Sequence, residues 1–287
     1  MTHAPSFREL LTQILSPAEL KEAIFAYDVL GKLALIEIPR KLQKKKKKIA
    51  SALLHAVKNV ESVYEKVGGH EGKFRLEKVR FLAGKKISST AYKEWNCEFE
   101  LMPGKVFFSP RLSTERQRIA SYVKKGETVA VFFAGVGPYA ITLAKHAKPA
   151  RVFAIEWNPD AIPWLEMNVR KNKVQDIVIP MHADVKKVGH ILGQCDHVIM
   201  PAPESATKYL AAAVNCLSPA GGTIHCYAFV SNKKPLHEMW KKLEKGLQEV
   251  KGSARVEDIR KVLQFSPRKV QMCAVLRVKG GKRTQTK

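Results

Sequence analysis

Beyond residue 104 the sequence alternates short apolar runs with helical stretches, and few folds can accept that rhythm. The runs are TVAVFFAG (128–135), RVFAIEW (151–157), IVIPMHAD (177–184), HVIMPAP (197–203) and GTIHCYAFV (222–230). Each is apolar on both faces, as a strand must be when helices cover both sides of its sheet. Between most of them lie YAITLAKHA (139–147), AIPWLEMNVRKNK (161–173) and SATKYLAAAVNCL (205–217), which are long enough for helices. Strand–helix alternation of this kind predicts a parallel, doubly wound α/β sheet over residues 105–280. VFFSP (106–110) reads as a short leading strand and STERQRIASYV (113–123) as a helix with Ser113 or Thr114 as its cap. SARVEDIRKVLQF (253–265) and QMCAVLRVK (271–279) would add the final strands.

Residues 1–104 read differently. Helical spacing of Phe7, Leu10, Leu11, Ile14 and Leu15 predicts a helix over 5–25, and YDVLGKLALIEIP (27–39) is one strand or a strand pair. KKKKKIASALLHAVKNV forms a basic helix, and SVYEKV, KVRFLAG and NCEFELM are strand-like. The break Met102-Pro103-Gly104 then sets the expected boundary of a smaller α+β domain over 1–104.

The first strand of the second domain ends in Phe133-Ala134-Gly135-Val136-Gly137-Pro138-Tyr139-Ala140. Such glycines let the chain turn tightly and approach a ligand at the carboxyl edge of the sheet. Gly135, Gly137 and Ala140 satisfy a relaxed dinucleotide pattern. Glu156 closes the second strand, where a carboxylate accepts both ribose hydroxyls of either NAD or S-adenosylmethionine. Three features favour the methyl donor. Pro138 removes an amide that a pyrophosphate would use. Asp184 ends the third strand, within reach of an adenine amino group. The fourth strand ends in Pro201-Ala202-Pro203, which offers no proton donor for hydride chemistry. Trp157, beside Glu156, is the candidate to flank the adenine.

The chain carries 50 Lys and Arg against 26 Asp and Glu, a net charge of +24. Residues 1–125 and 126–287 each hold 25 basic and 13 acidic side chains, +12 apiece, so the field belongs to the whole molecule. A polyanionic partner follows as the first expectation. Arg40, Lys41 and Lys44 to Lys48 form one local concentration, and residues 281–287 form a basic tail. No apolar run is long enough to cross a membrane as a helix, and MTHAPSFREL is not a secretory signal. Five cysteines without a CxxC pair suit a reduced cytoplasmic protein, not a disulfide or zinc framework.

FFSPRLSTERQRIA (107–120), FFAGVGPYAITLAK (132–145), AIEWNPDAIPWLEMNVRKNKV (154–174) and GGTIHCY (221–227) resemble the archaeal/eukaryotic-type tRNA (guanine-37 N1)-methyltransferases. PSFREL, YDVLGKLALIEIP and HEGKFRLEKVRFLAG extend the resemblance over nearly the whole chain. It implies a class I, Rossmann-like methyltransferase domain with a smaller N-terminal α+β domain. It also implies S-adenosylmethionine as cofactor, tRNA as partner, no metal and a monomer. Carried over residue by residue, the general base falls on Glu115 and the catalytic arginine on Arg75. Cofactor contacts fall on Phe133, Gly135, Gly137, Glu156, Trp157, Asp184 and Pro201, and RNA contacts are expected from Lys44, Lys45, Lys46, Lys47, Lys48, Arg111 and Arg116. The sequence departs from the family at Phe132, where many members have Asp, and at Pro201-Ala202-Pro203, where many have Asn-Leu-Pro. It also starts where the family's second domain starts, which implies a short member without the extra N-terminal module.

Guanine N1 is protonated at neutral pH. A carboxylate that takes that proton and an arginine that stabilises charge on O6 would supply what methylation needs. The residues alone favour an ion pair of Glu115 with Arg111 or Arg118 at helical spacing, and a surface phosphate contact for Arg75. His225, in an apolar strand, reads as a packed, hydrogen-bonded histidine. The competing functional readings are a wybutosine-pathway transferase moving an aminocarboxypropyl group, and a non-catalytic RNA-binding protein on a methyltransferase fold.

Overall fold

A computed structural model describes residues 5–71, 76–250 and 254–280. The chain divides into two compact units, Met1–Pro110 and Arg111–Lys287. The division falls past the Met102–Gly104 break because Phe108 packs on Tyr92 and Phe99, with ring centroids 5.1 and 5.5 Å away.

The first unit opens with two short helices, α1 (Phe7–Thr12) and α2 (Pro17–Glu22), in place of one helix over 5–25. Each starts on a reciprocal capping box, Ser6 with Glu9 and Ser16 with Glu19, and Pro17 at the second start suits a first helical turn. β1 (Tyr27–Leu30) and β2 (Leu33–Ile36) form a hairpin, and α3 (Lys46–Ala56) follows a 3₁₀ turn over Arg40–Lys45. Gly31 turns that hairpin at φ +56°, where an added Cβ would sit 2.1 Å from the Ala91 carbonyl oxygen. β3 (Ser62–Glu71) pairs parallel with β2, and β4 (Leu76–Gly84) returns antiparallel beside it. Phe7, Leu11, Ile36, Leu42, Ile49, Leu53 and Val63 form the core of this unit. β5 (Thr90–Glu94) and β6 (Cys97–Leu101) make a separate hairpin.

The second unit begins with α4 (Ser113–Ala120) and runs through β7 (Thr128–Phe132), α5 (Pro138–His146), β8 (Arg151–Glu156) and α6 (Ile162–Lys171). β9 (Val178–His182), α7 (Val185–Leu192), β10 (His197–Met200), α8 (Leu210–Cys216), β11 (Gly221–Ser231), α9 (Pro235–Glu249), β12 (Ala254–Ser266) and β13 (Lys269–Lys279) complete it. Its sheet has the order β12-β13-β11-β10-β7-β8-β9. The strands from β9 to β11 run parallel, whereas β13 lies antiparallel between β11 and β12. This is the class I methyltransferase sheet. The strand order reverses at β7, and in open α/β sheets ligands bind beyond the carboxyl ends of the strands at such a switch point.

Val129, Ala130, Val131 and Phe132 of β7 are fully buried, which is why this strand reads as an unbroken apolar run. Phe132, where the resemblance leads to an expectation of Asp, fills the core beneath the glycine turn. Truncating so large a buried ring costs about 3–5 kcal/mol. Two local expectations fail. Residues 107–109 form no strand, and only Val106 makes an isolated bridge, with Pro103. Helix α4 has Leu112 at its N-cap with no side-chain cap, so neither Ser113 nor Thr114 caps it; the preceding 3₁₀ turn, Pro110–Leu112, leads directly into the helix.

Candidate active site

The turn after β7 is built from left-handed backbone. Phe133, Gly135 and Gly137 have φ of +54°, +56° and +92°. The amide of Ala134 donates to the Ile155 carbonyl at 2.9 Å, and that of Gly137 donates to the Ala134 carbonyl at 2.9 Å. Asn168, buried on α6, donates through Nδ2 to the Val136 carbonyl at 3.0 Å. Gly137 caps α5, and a Cβ there would lie 2.6 Å from Leu165 Cδ1. Left-handed backbone at a non-glycine residue costs about 1–2 kcal/mol. At Phe133 the ring offsets part of that by packing edge-on against Tyr209, 5.3 Å between centroids.

Glu156, at the end of β8, holds the turn from the other side. Its Oε2 accepts from the Gly135 amide at 2.7 Å, and its Oε1 accepts from the amides of Trp157 and Asn158 at 2.8 and 2.7 Å. A carboxylate has about four lone-pair sites, so one on Oε2 remains beyond these three amides. The next residue, Trp157, is 44% exposed and offers an apolar ring beside the carboxylate. Asp184 caps α7 through Oδ1, which accepts from the Lys186 amide at 3.0 Å and leaves Oδ2 for an exocyclic amine. Pro201 is half-buried after β10. The rim beyond it is fixed by Ala202, whose carbonyl accepts from Ser205 and Ala206 at 3.0 and 2.8 Å, and by Pro203, which accepts from Phe229 at 2.9 Å. The glycine turn, the carboxylates of Glu156 and Asp184 and the Trp157 ring thus lie at the ends of three consecutive strands, β7, β8 and β9.

A second cluster surrounds α4. Glu115 is 8% exposed, although it lies in a helix whose sequence reads as a charged surface. Arg118 donates to it twice, Nε to Oε2 at 2.7 Å and Nη2 to Oε1 at 2.6 Å, so the ion-pair arrangement is formed. Tyr227 of β11 donates its hydroxyl to Oε1 at 2.6 Å. Burial disfavours the Arg118 cation, yet the Glu115 carboxylate outweighs it and holds the guanidinium above its ordinary range. Burial pushes the hydroxyls of Tyr227 and Tyr139 up, and the Cys273 thiol to about 12. His225 packs between Tyr122 and His197, but neither ring nitrogen is hydrogen-bonded, contrary to the expectation of a satisfied histidine.

The RNA candidates scatter. Arg111 is exposed in the turn before α4. Arg116 is 1% exposed, so a phosphate contact by this residue does not fit its position. In the first unit Lys44, Lys47 and Lys48 are exposed. Lys45 is held by Glu19 at 2.6 Å, and Lys46 faces Glu65 at 4.0 Å. The lysines crowd the N-terminal end of α3, which has no acidic side chain in its first turn. Cations there oppose the helix dipole, so helix stability does not account for them. Arg75 lies outside the described residues. Tyr227 and Asn168 escaped the sequence reading; the signal for Tyr227 was a hydroxyl inside an otherwise apolar strand, which needs a partner.

The sequence profile of the TRM5/TYW2 methyltransferase domain matches residues 90–255, and that of the TYW2 N-terminal domain matches residues 7–87. The chain belongs to the TRM5/TYW2 methyltransferase family. Among relatives in this family, tRNA (guanine(37)-N(1))-methyltransferase Trm5b of Pyrococcus abyssi is 39% identical over 78% of this chain and 65% of its own length. The chain thus spans a little under two thirds of that relative. The tRNA 4-demethylwyosine(37)-methyltransferase Taw21 of Saccharolobus solfataricus is 35% identical over 72% of this chain and 79% of its own. A solved complex of aTrm5 with tRNALeu superposes on 97% of this chain and 80% of that one, with a TM-score of 0.84 at 28% identity. No helix among the described residues is long and apolar enough to cross a membrane.

Proposed function

We propose that the chain transfers the methyl group of S-adenosylmethionine to N1 of guanosine 37 in tRNA. The observation that carries this reading is Glu115, a buried carboxylate with fixed donors on both oxygens, in the SPRLSTER segment of a methyltransferase domain. Glu156 and Asp184 would hold the ribose and adenine, with Trp157 flanking the ring, Phe133, Gly135 and Gly137 shaping the turn, and Pro201 forming the rim. The cofactor supplies an electrophilic methyl carbon on a sulfonium, so the reaction needs no metal.

Glu115 would take the N1 proton and so free the N1 lone pair for the electrophilic methyl that the bound cofactor would supply. Arg75 is assigned to O6, where a cation stabilises the charge that develops. The first unit would support RNA binding through Lys44, Lys47 and Lys48 and supply Arg75, and the second would supply Glu115 and the cofactor residues, aided by Arg111 on the RNA. All five cysteines are free and buried, which suits the cytoplasm, and the reading requires a single copy of the chain.

A second reading is methylation or aminocarboxypropylation of a wyosine precursor at the same position. It is favoured by the match of the TYW2 N-terminal profile and by coverage of Taw21 along most of its length. Incubation of the protein with labelled cofactor and unmodified G37 tRNA, followed by nucleoside mass analysis, decides between them. A gain of one methyl on guanosine supports the proposal. Product only on a demethylwyosine-bearing tRNA, or a larger transferred group, overturns it.

A further inference from the structure

We propose that Tyr227 and Arg118 are positioning residues that hold Glu115 for proton abstraction and leave Oε2 as the atom that receives the proton. This rests on the reading of Glu115 as the base. Oε1 accepts from both Tyr227 and Arg118, so its two lone pairs are committed. Oε2 accepts only from Arg118 Nε and keeps one. The two side chains come from different elements, α4 and β11, so they fix the carboxylate plane as well as its place.

The clamp is braced from behind. Tyr139, the second residue of α5 and two residues past Gly137, packs edge-on against Tyr227 with centroids 6.1 Å apart and an interplanar angle of 61°. Cys273 faces Tyr227 across the β11–β13 pairing. The titratable or charged groups around Glu115 are therefore Arg116 and Arg118 on α4, Tyr139 on α5, Tyr227 on β11 and Cys273 on β13. The first turn of α5, which follows the glycine turn, thus packs against the side chain that holds Glu115.

Tyr227→Phe keeps the ring and removes only the hydroxyl. The test has two arms. In the first, single-turnover methylation of G37 tRNA is followed at saturating cofactor and tRNA. Tyr227→Phe and Arg118→Ala should each lower the rate by about tenfold, the size of one charge-assisted hydrogen bond, with the affinities for cofactor and tRNA within about twofold of wild type. In the second, Arg118→Lys, which keeps a cation beside Glu115, should recover part of the rate that Arg118→Ala loses. Unchanged rates in Tyr227→Phe and Arg118→Ala, or a rate loss matched by an equal loss of affinity, overturns the positioning role. Glu115→Gln separates that failure from the other: full activity of this variant removes the base itself, whereas an inactive Glu115→Gln beside an unchanged rate in Tyr227→Phe leaves the base and removes only the clamp.

Discussion

Glu156 Oε2 lies 2.7 Å from the Gly135 amide, so the residue that ends β8 also pins the turn that follows β7. One side chain therefore shapes the cofactor turn and is assigned to the ribose. Its replacement removes both at once. Glu156→Ala should weaken S-adenosylmethionine about ten- to a hundredfold, the range for a lost charge-assisted hydrogen bond. It should also lower thermal stability in the absence of cofactor, because the Gly135, Trp157 and Asn158 amides lose their acceptor. Calorimetric titration and a melting curve check the two halves; unchanged affinity would remove Glu156 from the ribose.

Glu115→Gln should lower the single-turnover rate by about 10²–10⁴, because the amide cannot accept the N1 proton. It should also cost stability. The buried Arg118 cation would face a neutral partner, and breaking a buried pair from one side typically costs about 3–5 kcal/mol. Partial solvent access to Arg118 places the expected loss below that range. Rate and denaturant midpoint measured on the same preparation check both. Near-normal chemistry across pH 6–9 excludes Glu115 as the base.

Replacement of Lys44 to Lys48 by Gln should weaken all tRNAs alike and flatten the dependence of affinity on salt. Lys45 is tied to Glu19, and Lys46 faces Glu65, so most of the effect should come from Lys44, Lys47 and Lys48. Replacing those three alone should reproduce most of the change in slope in a filter-binding series over potassium chloride. A loss confined to one tRNA, with the slope intact, would point to sequence readout.

Burial pushes His225 well below its ordinary value of 6.5, and the neighbouring His197 and Arg118 add to it. Burial also lowers His197, against the pull of Glu127. Both are neutral when folded and take up protons when unfolded below pH 6.5, so the unfolded state binds more protons there. Stability should be fully present above that pH and fall as pH drops from about 6.5 towards 5. Urea midpoints against pH would show this slope, and His225→Leu should make it shallower. An identical slope in the variant would assign it elsewhere.

The α/β architecture was legible because parallel strands buried on both faces leave continuous apolar runs such as Thr128–Phe132. The glycine turn was legible because Gly135 and Gly137 sit at backbone angles other residues resist. The break between α1 and α2 was also written in the sequence, as Ser16, Pro17 and Glu19, but the helical spacing of the leucines masked it. Burial of Glu115 and Arg116 was not legible. STERQRIA has the pattern of a solvated helix, and what covers it is β11, 112 residues further along at Tyr227. Pairing at that distance depends on sheet register, which no local pattern specifies. The family resemblance singled out Glu115, whereas its partner Tyr227 emerged only from the packing.

The antiparallel placement of β13 also bears on the order in which the molecule can be made. Residues 269–279 are synthesised after every other strand of the sheet, yet they lie between β11 and β12 with Val270 through Leu276 almost entirely buried. Until they leave the ribosome, one edge of β11 stays open, and Tyr227 lacks the strand that carries Cys273 beside it. A nascent chain stalled before residue 269 has all five parallel strands, β7 to β11, yet lacks the partner that covers the edge of β11. Such a chain would expose an apolar strand edge that invites pairing with another chain. Emergence of β13 from the ribosome would then close that edge by pairing along the whole of β11.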